Sequence, residues 1–199
     1  MAYKPQWSLT ISAPGSFEED VGAEMRSRGD FAGAEAAARK ALENLVRKRG
    51  PGGKGSLPHL DSLGMTLICL ERFPEAGEVL EEAVAVSERV MGAFHPDTLT
   101  RSSNLGMIHY HAGDRARAAD CFRKVRDLKL KFLGPGDRSM LTAEANLAVA
   151  LAETVPAAET VASFEKILAG IERAYPKDSM KVKLARNNLE QARKLATLS

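Results

Sequence analysis

Hydrophobic residues recur along the chain at intervals of three and four residues, the spacing that places them on one side of an α-helix. One such stripe runs from Leu105 to Ala112, and a second runs from Ala118 to Phe132. Glycine-containing breaks follow at 113–114 and 134–136, where a helix should end. No stretch shows sustained alternation of apolar and polar residues, so we predict no β-sheet. This part of the chain is therefore predicted to form a hairpin of two antiparallel helices.

The hairpin pattern repeats with a period of 42 residues. The pair Leu63-Gly64 returns as Leu105-Gly106 and then as Leu147-Ala148. Further series keep the same interval: Ala34, Ala76 and Ala118; Ala38, Leu80, Phe122 and Phe164; Gly50, Gly92 and Gly134. Because several independent positions share one period, the pattern indicates an architecture of stacked repeats.

The period and the breaks together predict an all-α fold of about four helical hairpins and a C-terminal capping helix. We expect helices near residues 17–28, 31–48, 57–70, 73–90, 98–112, 115–132, 139–153, 157–174 and 178–196. The repeat domain then covers 17–196, with units at about 17–56, 57–98, 99–140 and 141–177 and the cap at 178–196. Asp30 is expected to cap the second helix, and Asp97 or Thr98 the helix that follows Pro96.

A small residue lies in the middle of each predicted first helix. Gly22, Gly64 and Gly106 occupy this place, and Ala148 does so in the fourth unit. Glycine in a helix interior costs about 1 kcal/mol relative to alanine, so a glycine that returns with each repeat needs a compensating role. We predict that the two helices of a hairpin approach each other closely at this position.

These features resemble the tetratricopeptide repeat, whose pattern has a Leu-Gly pair in the first helix and alanines in the second. The 42-residue period is similar to the kinesin light chain type of repeat. So is the stretch 95–100 (His-Pro-Asp-Thr-Leu-Thr), which is followed by Ser-Asn-Leu-Gly at 103–106. The resemblance covers about residues 17–196 and implies a right-handed α-solenoid. It also implies a peptide- or protein-binding scaffold in which the first helices line a concave groove.

The groove side of each first helix should carry the residues two before and two, five and six after the leucine of the Leu-Gly pair. The predicted peptide- or protein-binding residues are Asp61, Met65, Cys69, Ser103, Met107, Tyr110, His111 and Val149, with the periodic asparagines Asn104, Asn146 and Asn188. A side-chain amide can pair with an extended peptide backbone, and in similar kinesin light chain repeats such asparagines are implicated in holding peptides. Alternatively, the amides tie adjacent hairpins together, and the two methionines pack against neighbouring helices.

Composition narrows the class of partner. The 199 residues carry 28 Lys and Arg against 26 Asp and Glu, a net charge of +2, so we expect no strong attraction to nucleic acid or anionic lipid. No apolar run approaches the roughly 20 residues of a membrane span, and the N-terminus lacks the apolar stretch of a secretory signal. Two cysteines, Cys69 and Cys121, fit a reducing compartment. We expect an intracellular protein, cytoplasmic by default, although an organelle interior would suit the repeats equally.

The motifs that suggest chemistry have structural interpretations. The His-Pro-Asp tripeptide at 95–97 also occurs in J-domain co-chaperones, but here it falls in a loop between repeats. The glycine-rich segment 50–56 departs from the spacing of a phosphate-binding loop. His109 and His111 are two residues apart, so they point to opposite sides of a helix and cannot share a metal. Since we find no nucleophile–base pair and no cofactor fingerprint, we expect no enzyme activity, metal or cofactor.

Residues 1–16 lie outside the repeat register and are predicted to form an extended N-terminal arm. Trp7, the only tryptophan, stands close to Leu9 and Ile11 in this segment. An exposed tail gains nothing from such apolar groups, so we expect these three residues to dock on the array's own groove or on a partner. The alternative is a disordered tail, because disorder concentrates at chain termini.

The sequence as a whole predicts a non-enzymatic scaffold or adaptor that binds a peptide or protein surface in its concave groove. The alternative is a structural subunit held permanently in a larger multiprotein complex, where neighbouring subunits would fill the groove. In both cases the expected partner is a protein, with no nucleic acid bound and no direct membrane insertion.

Overall fold

The computed structural model describes Asp20 and residues 22–198, which are helical with no β-strand among them. The described residues divide into two compact units, and the boundary in the sequence falls between Asp114 and Arg115. The helices of the N-terminal unit are α1 (Ala23–Ser27), α2 (Phe31–Arg49), α3 (Leu57–Cys69), α4 (Phe73–Met91) and α5 (Pro96–His111), with a 3₁₀ turn at Lys54–Ser56. The C-terminal unit contains α6 (Arg115–Leu133), α7 (Ser139–Leu151), α8 (Ala157–Ala174) and α9 (Met180–Leu198).

The second helices of the hairpins follow the sequence period without drift. Helices α2, α4, α6 and α8 begin at Phe31, Phe73, Arg115 and Ala157, each 42 residues after the last. The predicted helices agree with these bounds to within a few residues. For the first predicted helix, 17–28, the described part is helical from Ala23 to Ser27, and residues 17–19 and 21 lie outside the description.

The side chains of Asp30 and His95 cap helices α2 and α5 at their N-termini. The Asp30 carboxylate accepts a hydrogen bond from the Gly33 amide at 2.9 Å, which confirms the predicted cap of α2. The predicted cap of α5 is wrong. His95 is the N-cap, because its Nδ1 accepts from the Asp97 amide at 3.2 Å, and the helix already begins at Pro96. Proline fits this first position because its missing N–H would have no helical partner there.

The core consists of the periodic apolar residues identified in the sequence. Ala34, Ala76 and Ala118 are fully buried on α2, α4 and α6. Phe122 on α6, one turn after Ala118, and Phe164 at the same repeat position on α8 are buried as well. Within the N-terminal unit, α3 and α4 of the second hairpin pack against each other.

Gly64 shows how close this packing is in the second hairpin. A Cβ placed on Gly64 of α3 would lie 2.7 Å from Cδ2 and 2.9 Å from Cγ of Leu80 on α4. The optimal separation of two carbon atoms is about 3.5–4.0 Å. The predicted close approach of the two helices is therefore present at this glycine.

Candidate functional site

One face of α3 changes from buried to exposed along its length. Asp61, Met65 and Cys69 are spaced four residues apart, so they lie above one another on one side of the helix. Asp61 is buried, Met65 is half-buried and Cys69 is exposed. On α5, Ser103 and Met107 are half-buried and His111 is exposed at the same spacing. We call these two rows of the N-terminal unit the first-helix face; it opens towards the C-terminal ends of α3 and α5.

A buried ion pair joins the two helices at the other end of this face. Arg101 Nη2 donates to Asp61 Oδ2 at 2.6 Å, and Arg101 Nε donates to the same oxygen at 2.9 Å. The Arg101 and Asp61 side chains are only 10% and 6% exposed. Arg101 Nη1 also donates to Ser87 Oγ on α4 at 3.4 Å, and Ser87 Oγ is 2.7 Å from Thr98 Oγ1. The predicted groove residue Asp61 is thus part of a network that holds α3, α4 and α5 together.

The environment of Asp61 makes its negative charge depend on Arg101. Burial raises the pKa of Asp61 above its ordinary value, and hydrogen bonds and charge from Arg101 oppose that rise. A carboxylate in such a place is costly unless it is paired and hydrogen-bonded. The ion pair therefore fixes the relative position of α3 and α5 and would leave an uncompensated charge if it were broken.

Aromatic groups gather at the open end of the first-helix face. The rings of Phe73, at the start of α4, and His111 are stacked with centroids 5.8 Å apart and planes 24° from parallel. Tyr110 meets His111 edge-on, also with centroids 5.8 Å apart. Rings of this kind offer large contact areas with polar edges, which suits binding of another chain.

His109 has a different environment from its neighbours on α5. It is buried, and its Nε2 lies 3.3 Å from Glu81 Oε1 on α4. A Cβ at Gly77 of α4 would lie 3.6 Å from His109 Cε1, which is an ordinary van der Waals contact. His109 is thus a packing residue of the N-terminal unit.

The repeat position that Asn104 occupies in the third hairpin contributes to packing between the first two hairpins. Asp20 and Ser62 occupy the positions that precede Asn104 by 84 and 42 residues. Ser62 Oγ donates to Asp20 Oδ1 at 2.7 Å, and Arg26 Nη1 donates to Ser62 Oγ at 3.1 Å. At this register the structure thus links consecutive hairpins directly, while Asn104 itself is half-buried.

In the C-terminal unit the remaining predicted binding residues are buried. Val149 of α7 is 1% exposed, and Asn146 of α7 and Asn188 of α9 are buried as well. Whether these asparagines bind a ligand or tie hairpins together stays a prediction with two interpretations. The predicted docking residues of the arm, Trp7, Leu9 and Ile11, lie outside the described residues.

Sequence reasoning missed two contributors to the first-helix face. Arg101 lies 40 residues from Asp61, and only the stacking of hairpins brings the two charges together. Phe73 belongs to a second helix, which the predicted groove did not include, yet its ring reaches His111 of α5. Asp61 and Arg101 are separated by nearly one repeat of 42 residues, and this spacing between opposite charges could have suggested the pair.

Two further observations concern other classes of site. Among residues 20 and 22–198, no group of three or more His, Cys, Asp or Glu side chains is placed to hold a metal ion. In the same part of the chain, no helix is both long and apolar enough to cross a membrane.

Comparison with known proteins identifies the repeat. Residues 56–131 match the tetratricopeptide repeat family, while no functionally described protein matches the chain by sequence. One similar solved structure contains the TPR-like repeats of a kinesin light chain from Podosopora anserina, which are nearly identical to one another. It superposes on this chain with a TM-score of 0.72 at 18% sequence identity, covering 88% of this chain and 83% of that one.

Two other solved structures share the fold. BtubC (BKLC) from P. vanneervenii has a TM-score of 0.69 at 20% identity, covering 87% of this chain and 69% of that one. MamA has a TM-score of 0.54 at 19% identity, covering 90% and 92% of the two chains. At such low identities these likenesses establish the fold alone. Residues 56–131 therefore carry tetratricopeptide repeats, and the described part of the chain has an all-α helical-repeat solenoid fold similar to that of the kinesin light chain repeats.

Proposed function

We propose that this protein is a non-enzymatic scaffold or adaptor whose first-helix face binds a peptide or a segment of a partner protein. Tetratricopeptide repeats are in general protein–protein interaction modules. The observation that carries the proposal is the open end of that face, where exposed Cys69 and His111 lie on adjacent first helices and Phe73 stacks on His111.

The chemistry of this face suits an adaptable contact with a protein. Met65 and Met107 are half-buried, and a methionine side chain can adjust its shape to different partners. Tyr110, Phe73 and His111 supply ring surfaces, and aromatic residues are enriched in protein interfaces. The face thus combines apolar area with a few polar edges.

The ion pair at the closed end supports binding by holding the face in shape. Arg101 and Asp61 join α3 to α5 through short hydrogen bonds, so these helices need not be ordered when a partner binds. Binding then loses less conformational entropy than it would on a mobile surface.

A charged substitution at the centre of the face tests the proposal. Met107→Glu places an unpaired carboxylate in a contact that should be apolar, so proteins captured from the native source should be lost from this variant. Val90→Glu is the matched control, because Val90 is an exposed apolar residue on the second helix α4. Quantitative mass spectrometry of proteins retained by the wild type and both variants measures the effect. A partner retained by Met107→Glu but lost from Val90→Glu would contradict the assignment.

A permanent structural subunit is the second candidate function. It is favoured by three exposed apolar side chains within four residues at the end of α6: Leu130, Phe132 and Leu133. Phe132 is 53% exposed, and apolar patches of this kind often mark permanent contacts. Light scattering of the purified chain separates the candidates. A free adaptor should be a soluble monomer, whereas an obligate subunit should aggregate or require its partner.

A further inference from the structure

A small pocket opens between α6, α7 and α8 of the C-terminal unit. Its volume is about 230 Å³, and its apolar lining includes Leu147, Leu151 and Ile167. Its other walls carry Arg126, Glu144, Ser163 and Lys166. The α7 residues of the pocket lie on a different side of that helix from Val149, so the pocket is separate from the predicted groove positions.

The repeat register shows that this space is filled in the second hairpin. Moving back by two repeats, or 84 residues, relates each of three polar pocket residues to an apolar one: Arg126 to Leu42, Glu144 to Leu60 and Ser163 to Val79. The three apolar residues belong to one hydrophobic cluster between α2, α3 and α4. The same position between three helices is therefore packed in one hairpin and open and polar in another.

Folding alone does not account for this replacement. Apolar contacts between helices are the main source of stability in a repeat array, and polar groups in their place give up that contribution. Glu144 and Ser163 do not compensate through hydrogen bonds, because neither forms a hydrogen bond or ion pair within residues 22–198. Lys166 likewise has no ion pair in that range. The polar groups are thus available to another molecule.

One pocket residue is held in place by its neighbour. Arg126 Nε donates to Asp127 Oδ1 at 2.8 Å, and Arg126 Nη2 lies 2.6 Å from the same oxygen. This pair partly neutralises the guanidinium but leaves its remaining N–H groups for other acceptors. With Lys166, the pocket edge presents two cationic side chains and the single carboxylate of Glu144.

Size and charge together define the occupant. Pockets for small molecules and cofactors usually span about 300–1,000 Å³, so a volume of about 230 Å³ favours one side chain of a protein partner. Interfaces commonly place such an anchor side chain in a pocket with polar groups around it. We propose that this pocket is a second protein-docking site, which receives a leucine-like side chain whose flanking acidic residues pair with Lys166 and Arg126. Glu144 would accept a hydrogen bond from the backbone of the same segment.

Short peptides can serve as probes for this site, with methyl resonances of the full-length protein as the readout. The probe is acetyl-Glu-Leu-Glu-amide, and the comparison peptides are acetyl-Glu-Ala-Glu-amide and acetyl-Lys-Leu-Lys-amide. We expect the first peptide to shift the methyl signals of Ile167 and Leu151 with a Kd on the order of 1 mM. The alanine peptide should cause no such shift, and the lysine peptide should bind at least about threefold more weakly than the Glu-Leu-Glu peptide.

A variant that fills the pocket provides the decisive comparison. Arg126→Leu, Glu144→Leu and Ser163→Val together restore the residue types of the second hairpin, so the variant should keep its helical circular dichroism and bind the leucine peptide at least about tenfold more weakly. Lys166→Glu is a second variant, which changes an exposed residue and is expected to fold. It should weaken binding of the Glu-Leu-Glu peptide but not of the Lys-Leu-Lys peptide. Lys183→Glu makes the same charge change on α9, outside the pocket, and should leave binding unchanged.

The possible results separate cleanly. Loss of the Ile167 shift in the filled variant, with the Lys183→Glu control unaffected, would support the docking site. Equal binding by the filled variant and the wild type would overturn it, as would shifts confined to residues outside the pocket or no shift with the leucine peptide. Met107→Glu should not change peptide binding here, so the outcome is independent of the first-helix face.

Discussion

Replacing Gly64 by alanine tests how tightly the second hairpin is packed. Two effects of opposite sign are expected. Alanine is a better helix former than glycine, which should stabilise α3 by about 1 kcal/mol. The new methyl group would lie 2.7 Å from Leu80 Cδ2 and 2.9 Å from Leu80 Cγ. Leu80 is only 6% exposed, so its side chain has little room to move away. Overpacking of a core typically costs about 1–3 kcal/mol, and the net change should be a loss of about 0–2 kcal/mol.

In a double-mutant cycle with Leu80→Ala, the effect of Gly64→Ala on the free energy of unfolding should change sign. Leu80→Ala removes the side chain that the new methyl group would meet, at a cost of about 2–5 kcal/mol by itself. In that background Gly64→Ala should stabilise the protein by about 1 kcal/mol, because only the gain in helix propensity remains. The coupling free energy between the two positions is then about 1–3 kcal/mol.

Urea unfolding followed by circular dichroism measures the free energy of unfolding of all four proteins. Gly53→Ala is the matched control. Gly53 has an ordinary extended backbone (φ −77°), and a Cβ there would have no atom within 4 Å. Its replacement should be neutral or stabilising by up to about 1 kcal/mol. Equal stabilisation by Gly64→Ala in both backgrounds would refute the close-packing role of the glycine.

Arg101→Ala should lower the free energy of unfolding by about 3–5 kcal/mol, because it leaves Asp61 buried without its partner. Replacing both Arg101 and Asp61 by leucine should recover most of this loss. Urea titrations in which the double variant recovers no stability would contradict the prediction. Burial alone would raise the pKa of Asp20, but hydrogen bonds from Arg26, Ser62 and the Gly22 amide, with the Arg26 charge, lower it below 3.8. Ionised Asp20 therefore stabilises the fold above that pH, and the benefit disappears as pH falls through the lowered pKa, so Asp20→Asn should destabilise more at about pH 7 than at about pH 3. The predicted docking of Trp7 should give a blue-shifted tryptophan emission, and fully solvent-exposed emission in both the isolated protein and its native complex would rule it out.

The repeat and its helices could be predicted from the amino-acid sequence, because both depend on local information. Helix formation follows the spacing of apolar residues, and glycine or proline ends a helix wherever the backbone needs it. Phe31, Phe73, Arg115 and Ala157 begin their helices at the predicted period. The close approach at Gly64 was also predictable, since a repeated helix-breaking residue implies a steric reason.

The surroundings of each candidate residue depend on how the hairpins pack, which the sequence pattern does not show. Asp61 has the position of a groove residue, but stacking of the hairpins brings Arg101 against it and buries both charges. The cap of α5 depended on which of several neighbouring polar residues adopts the required backbone angles, and His95 does so before Pro96. Such outcomes depend on distances between residues about 40 positions apart, or on choices between conformations of similar energy.

The pocket of the C-terminal unit shows how the two kinds of information combine. Its polar residues are visible in the sequence, yet helical periodicity alone makes Glu144 and Ser163 ordinary surface positions. The structure shows that Arg126, Glu144 and Ser163 line one space between three helices. The sequence period then relates that space to the packed cluster of the second hairpin. Packing of three helices defines a cavity, and this is why a local pattern could not reveal it.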